Sequence, residues 1–548
     1  MKPQVDYSLY LVTDSTAAIL GDRNLVEVVE QALLGGVTVV QYRDKSNDTG
    51  VLISTAKQLH KICQQHSVPL IINDRVDVAL AVGCEGVHLG QDDMGITNAR
   101  QILGDDKIIG ATVSSIDEAK VAVEAGADYL GIGTLYATAT KKNTKDIIGI
   151  NGIRKILYYL GHQAGEASQS IKTVCIGGIN ASNLKLVHHR LYAPSSNSER
   201  PKTIDGVAIV SAIIAAKDVR EATANLKSLP PALPPFEVDT ADAVKSSEEE
   251  KLLAAAIPRI IRAVHEKGPL SHNMTNLVVQ NFAASVALAI GASPIMSNNG
   301  DEAADLAKIG GGLVINMGTA TPDSLANHRK AITAYNAAGG PIVLDPVGAG
   351  ATTARRDALS FLMASGYFDL IKGNEREILG VARASGFILE DSSQQRGVDS
   401  GASLLTLAEK AYLVSRIARR ERNVVLMTGA VDVISDGTTT YSISNGHAYL
   451  GMVTGSGCTL GTTLAAFMSA HPQHKLHAAI AGILHFELAA EAAAARPDVK
   501  GPGTFVPAFI DELYHRRIDV VESRVDWLDR AAVKRVAQIP DAALLKEM

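Results

Sequence analysis

Cysteine is scarce in this chain. Its 548 residues contain four, Cys63, Cys84, Cys175 and Cys458, far apart and without a Cys-x-x-Cys pair. That spacing excludes a disulfide framework, argues against a zinc site and suits a reducing compartment. Excess positive charge is also lacking. The formal net charge is −6, which argues against nucleic acid as the main partner. The longest apolar run, around residues 283–290, is far too short to span a membrane. No apolar signal core follows the opening Met-Lys-Pro-Gln-Val-Asp. The expectation is a cytoplasmic protein with neither a membrane nor a nucleic-acid partner. Two nucleotide-binding signatures are missing as well. There is no Walker Gly-x4-Gly-Lys-Ser/Thr and no protein-kinase set of glycine-rich motifs.

What is present is ordinary globular composition, 46% hydrophobic and 20% charged, over a length that calls for two or more domains. Residues 229–250 divide it. They begin Leu-Pro-Pro-Ala-Leu-Pro-Pro and end in a charged, serine-rich run, Ser246-Ser247-Glu248-Glu249-Glu250. Prolines do not sit inside helices, and the acidic end has little apolar surface to bury. We therefore expect domains at 1–228 and 251–548. The joining segment 229–250 should be semi-rigid at its start and flexible at its charged end.

In the first half, eight short apolar, β-branched runs alternate with amphipathic stretches. They lie at 9–13, 37–41, 70–73, 86–89, 108–112, 129–133, 173–176 and 207–210. Eight βα units in one domain predict a (β/α)8 TIM barrel in preference to an open doubly wound sheet. Chemistry in such a barrel sits where strands end and βα loops begin, and those positions are polar here. Gln41, Arg43 and Lys45 alternate along the second strand and point one way. Two cations and an amide suit a pyrophosphate; an internal salt bridge to nearby carboxylates is the structural alternative. Asn73-Asp74 ends the third strand, and Asp92-Asp93 follows the fourth. Carboxylates beside phosphate-binding cations suit Mg²⁺ held between protein and phosphate, or else acid–base work. His88 reads as a structural hydrogen-bonder. Small residues follow the seventh strand (Gly177-Gly178) and the eighth (Val210-Ser211), the usual place for a barrel phosphate site.

Five strings resemble the thiamine-phosphate synthase family over about residues 5–228. They are Gln41-Tyr42-Arg43-Asp44-Lys45, Asn73-Asp74-Arg75, Gly86-Val87-His88-Leu89-Gly90-Gln91-Asp92-Asp93, Thr138-Ala139-Thr140-Lys141 and Gly177-Gly178-Ile179. The resemblance implies that hydroxymethylpyrimidine diphosphate ionises, losing pyrophosphate, and that hydroxyethylthiazole phosphate captures the resulting cation. It implies that Gln41, Arg43, Lys45, Asn73, Thr112 and Lys141 hold the pyrimidine diphosphate. It places Mg²⁺ on Asp74 and Asp93, and the thiazole phosphate on Thr138, Thr140, Gly178, Val210 and Ser211. Thr112 stands where many members have serine, and the hydroxyl is kept.

The second half has longer helices and fewer strands, at 313–317, 342–344, 370–372 and 424–427. That pattern predicts an open α/β/α sandwich. Gly455-Ser456-Gly457-Cys458 opens a helical run, which exposes backbone N–H groups to an anion and should acidify the thiol. Asn374 and Glu377, three apart at a strand end, suit Mg²⁺ and phosphate, or an N-capping pair, or both. With His272-Asn273-Met274-Thr275-Asn276, Gly291-Ala292-Ser293-Pro294-Ile295-Met296, Asp345-Pro346-Val347-Gly348-Ala349-Gly350 and Thr428-Gly429, these features resemble the ribokinase superfamily. Within it they resemble hydroxyethylthiazole kinase, over about residues 252–530. The resemblance implies phosphorylation of hydroxyethylthiazole by ATP. Met296 and Gly455 would contact the thiazole and Lys372 and Thr428 the ATP, with Cys458 near the acceptor hydroxyl and a candidate catalytic group. It also implies a homo-oligomer built on kinase trimers. An alternative is that one half is inactive and serves as a regulatory or scaffolding module. Another is a generic barrel phosphate-sugar enzyme fused to a sugar or vitamin kinase.

Overall fold

The computed structural model describes residues 2, 4–136, 147–163, 165–193, 202–229, 246–318, 320–389, 405–536 and 545–546. The chain divides into two compact units, Met1–Pro234 and Pro235–Met548.

The first unit is the expected barrel. Its strands are β1 (Leu9–Val12), β2 (Val39–Tyr42), β3 (Leu70–Asn73), β4 (Gly86–Leu89), β5 (Ile108–Val113), β6 (Tyr129–Ile132), β7 (Lys172–Ile176) and β8 (Gly206–Ile209). They pair in parallel in chain order and close by setting Leu9 of β1 opposite Val207 of β8. Strands covered on both faces read as unbroken apolar runs, and alternate residues serve two cores. Tyr10, Val39, Ile71, Tyr129 and Val174 fill the barrel interior. Leu9, Leu11, Val40 and Ile72 pack outward against the helices. The helices begin where a side chain satisfies the first free N–H groups: Asn24 accepts from the Val26 and Glu27 amides, and Ser115 from Glu118.

The second unit holds a nine-stranded sheet. Its strands are β9 (Leu270–Met274), β10 (Ser293–Ile295), β11 (Gly312–Asn316), β12 (Ile342–Asp345), β13 (Leu370–Asn374), β14 (Val424–Thr428), β15 (Asp432–Ser435), β16 (Thr440–Ile443) and β17 (Val533–Arg535). The order is β10-β9-β11-β12-β13-β14-β15-β16-β17. Pairing is parallel as far as β14 and antiparallel from there to the β17 edge. Separate apolar clusters of helices and strands flank it.

Two expectations are corrected here. The end of the joining segment, 246–250, begins the helix Ser246–Lys267 where no element was expected, while residues 230–245 lie outside the described residues. Serines followed by glutamates suit a helix start, where the macrodipole favours negative charge. Strand β9 lies in Leu-Ser-His-Asn-Met, which has no apolar run to announce it. Its side chains find partners inside the fold, although His272 Nδ1 has none among the described residues. Asn273 Nδ2 donates to the Ser271 carbonyl (2.9 Å), Thr462 Oγ1 donates to Asn273 Oδ1 (2.7 Å), and His272 Nε2 donates to the Ser297 carbonyl (3.0 Å).

Candidate active sites

Gln41, Arg43, Asn73, Asp74, Asp93 and Thr112 come together at the C-terminal mouth of the barrel because each ends or follows a parallel strand. The Arg43 amide donates to Thr13 Oγ1 (3.0 Å), which ties the end of β2 to β1. Lys45 Nζ stands 2.8 Å from Asp74 Oδ2, so the salt-bridge reading of this cation holds. Lys45 is 57% exposed there, and such a pair is weak and easily released to a ligand. Asp74 has φ +63, a left-handed conformation that a non-glycine residue adopts only where surroundings enforce it. Its amide donates to the His88 carbonyl (2.9 Å), and the turn carries its carboxyl to that of Asp93. Burial opposes ionisation of Asp74, but the Asp93 hydrogen bond and the Lys45 ammonium outweigh it and hold Asp74 below the usual range. Burial and the Asp74 charge push Asp93 up, although the Gly90 amide donates to its Oδ2 (2.6 Å). The two carboxyls thus face each other beside Lys45. That is a donor set for one hard dication with phosphate completing its shell. No group of three or more His, Cys, Asp or Glu side chains suited to a metal occurs among the described residues.

Gly178 follows β7, and Val210 and Ser211 follow β8, at the same end of the barrel. Asn183 Nδ2 donates to the Gly178 carbonyl (3.0 Å), holding that turn. Thr138, Thr140 and Lys141 lie outside the described residues.

In the second unit the C-terminal ends of β11, β12, β13 and β14 open into a cleft of about 940 Å³, lined by Asp345, Lys372, Asn374, Glu377, Thr428, Gly455 and Cys458 among others. Ligands of open α/β sheets bind outside the carboxyl ends of the strands. Lys372 Nζ lies 2.9 Å from Asp345 Oδ1, and the two side chains are 4% and 2% exposed. Asn316 Nδ2 donates to Asp345 Oδ2 (2.8 Å) and to Cys458 Sγ (3.1 Å). Cys458 is the third residue of the helix Ser456–Ala470, but it is not acidified as expected. Burial, then the Asp345 carboxylate, push its thiol up to about 12, and the Lys372 charge does not reverse this. Desolvation and a neighbouring anion outweigh the helix terminus.

Asn374 and Glu377 form the capping box. Asn374 Oδ1 accepts from the Glu377 amide (3.0 Å), and Glu377 Oε2 from the Asn374 amide (2.9 Å). Glu377 Oε1 also accepts from the Gly348 amide (2.8 Å). Burial, then Asp345, raise its carboxyl to about 7. Met296 follows β10, is half-buried and does not line the cleft within this chain.

Several site residues were not picked out from sequence. Asp345 is the centre of the cleft network, and its signal was a lone acid ending an apolar strand before Pro346. Arg355 Nη1 donates to the Val347 carbonyl (2.6 Å) and bridges two cleft loops. Tyr10 and Tyr129 gave no signal, since buried tyrosines on strands read as core.

The two units are thus separate α/β small-molecule sites, each centred on side chains suited to phosphate. The chain matches the thiamine monophosphate synthase family over residues 9–213 and the hydroxyethylthiazole kinase family over residues 261–519. It is 42% identical to a "Probable thiamine biosynthetic bifunctional enzyme" of Schizosaccharomyces pombe, over 98% of this chain and 100% of that one. Identity to the "Thiamine biosynthetic bifunctional enzyme" of Saccharomyces cerevisiae is 37%, over 94% and 96%. The first half alone is 44% identical to a "Thiamine-phosphate synthase" of Clostridium botulinum, over 41% of this chain and 98% of that one. The chain belongs to the family of bifunctional thiamine biosynthetic enzymes.

Proposed function

We propose that the chain catalyses two consecutive steps of thiamine phosphate assembly. The second unit transfers the γ-phosphoryl group of ATP to the hydroxyl of hydroxyethylthiazole. The barrel then joins the thiazole phosphate to the pyrimidine of hydroxymethylpyrimidine diphosphate, releasing pyrophosphate. The observation that carries this reading is the presence of two separate, intact charge sets. One is Arg43, Lys45, Asp74 and Asp93 at the barrel mouth; the other is Lys372, Asp345 and Cys458 in the cleft. No observation favours an inactive half.

At the barrel mouth Arg43 and Lys45 neutralise the diphosphate, and breaking the C–O bond needs no protein nucleophile. Asp74 and Asp93 would hold Mg²⁺. Bound there, the ion would supply further charge neutralisation to the departing pyrophosphate. Gly178, Val210 and Ser211 offer backbone amides to the thiazole phosphate. In the kinase cleft Lys372 neutralises phosphate charge, and phosphoryl transfer depends mostly on such positioning. Cys458, as a neutral thiol, acts beside Asp345, the anion able to take the hydroxyl proton.

The protein works in the cytoplasm as a homo-oligomer built on its kinase unit. Leu277 and the cleft residue Val278 are 77% and 78% exposed. With Met296 outside the cleft, these suit a site completed by a second copy; sedimentation of the pure protein tests this. The test of function supplies hydroxyethylthiazole, ATP, Mg²⁺ and the pyrimidine diphosphate. Thiamine phosphate is expected, and omission of ATP should be rescued by thiazole phosphate. Failure of that rescue overturns the synthase half.

A further inference from the structure

Two barrel-mouth residues assigned to the pyrimidine, Gln41 on β2 and Thr112 on β5, are joined through the barrel interior. Gln41 Nε2 donates to Tyr10 Oη (3.0 Å), and the Tyr10 and Tyr129 hydroxyls are 2.7 Å apart. The Tyr129 hydroxyl lies 2.8 Å from His88 Nδ1, and His88 Nε2 lies 2.8 Å from Thr112 Oγ1. The chain of contacts runs through β2, β1, β6, β4 and β5. Tyr10 and Tyr129 are 1% exposed and Gln41 5%. Burial raises both phenols, so they stay protonated.

The interior is shaped around these rings. A Cβ on Gly110 would come within 2.1 Å of the Tyr129 ring, and one on Gly131 within 2.9 Å of His88 Cε1. The barrel leaves out two side chains to seat them, a loss of packing that a purely apolar core would avoid.

Each phenol has one hydrogen, and a neutral imidazole has one donor and one acceptor nitrogen. Gln41 donates to Tyr10, and a sequence that uses each phenol hydrogen within these contacts then runs one way. Tyr10 donates to Tyr129, Tyr129 to His88 Nδ1, and His88 Nε2–H to Thr112 Oγ1. Gln41 Oε1 is then left as an acceptor and the Thr112 hydroxyl hydrogen as a donor.

We propose that Tyr10, Tyr129 and His88 are positioning residues that fix, across the barrel, the donor and acceptor sense which Gln41 and Thr112 present to the pyrimidine. This rests on the synthase reading above. The sense suits an aminopyrimidine, whose amino group donates and whose ring nitrogens accept. An oxo analogue, with a ring N–H and a carbonyl, presents the opposite pattern. A site built to hydrogen-bond one pattern rejects the other, because buried polar groups are left unpaired.

The experiment measures kcat/KM for the aminopyrimidine diphosphate and its oxo analogue, in the full chain with thiazole phosphate supplied. Tyr129→Phe and Tyr10→Phe each remove one link and keep the ring. Each should reduce the preference for the aminopyrimidine by about tenfold or more. Gln41 also bonds Tyr129 directly, so the double variant should lose no more than Tyr129→Phe alone, which cuts every route to His88. Kinase activity of the same sample and its thermal unfolding report intact protein. If Tyr129→Phe unfolds the barrel, Tyr10→Phe alone decides by the same preference. Unchanged preference in a folded variant, or additive losses in the double, overturns the proposal. A wild-type chain that turns over neither diphosphate overturns the synthase reading instead.

Discussion

The thiol of Cys458 is pushed up to about 12 by burial and by Asp345, so it is neutral at physiological pH. Replacing it with alanine removes a neutral hydrogen-bonding group and leaves Lys372 and Asp345 in place. Cys458→Ala should lower the kinase kcat by less than about a hundredfold, below the range expected for loss of a general base, and leave the synthase untouched. Complete loss of kinase activity with ATP binding intact would show that the thiol is the essential base. Asp345 carries more weight, because its carboxylate is the ion-pair partner of a 4%-exposed lysine. Asp345→Asn strands that charge, and losing one partner of a buried pair costs about 3–5 kcal/mol. The chain has one tryptophan, Trp527 in the second unit, so denaturant unfolding followed by its fluorescence reads that unit. An unchanged midpoint would mean that Lys372 finds another anion.

Among the elements, the helix Lys475–Ala494 has the length and composition of a membrane span, yet 83% of its apolar window is buried. It packs between the helices Ser456–Ala470 and Pro502–Val521 in the core of its unit. His485 at its centre donates from Nε2 to the Leu513 carbonyl (2.8 Å), and its Nδ1 has no partner among the described residues. Burial lowers its pKa from 6.5 to about 4. A depressed folded-state pKa means that its contribution is full above about pH 6.5 and lost as pH falls toward 4. The raised carboxyl of Glu377 works in the opposite sense in the same unit, so the test is a difference: His485→Gln should lose less Trp527-reported stability than the parent as pH falls from 6.5 to 4. Equal losses in the two chains would sink this account. At the start of the helix Glu375–Ala384, Asn374→Ala removes the cap and should cost about 1–2 kcal/mol, read by the same fluorescence. The barrel strands were legible because burial on both faces demands unbroken apolar runs. Strand β9 was not, because its polar side chains find their partners in residues such as Thr462 and Ser297, far away in sequence.

At the scale of the whole molecule, each unit has its own core and its own site. Fragment 1–234 should make thiamine phosphate from supplied thiazole phosphate, and fragment 235–548 should make that phosphate from ATP and the thiazole. Assay of the two purified fragments checks this; an inactive fragment that is folded would show that its site depends on the other half. Local chemistry in the sequence determined the class of each half. Apolar runs at βα spacing define the barrel, and cations and carboxylates at strand ends define phosphate sites, because strand ends carry side chains to one face. Three things needed the tertiary structure. Burial decided that Cys458 is a thiol, long-range pairing decided that Asp345 anchors the cleft, and barrel closure decided that Tyr10 and Tyr129 join Gln41 to Thr112. Each depends on dielectric or contact between residues remote in sequence, and these exist only once the chain has closed on itself.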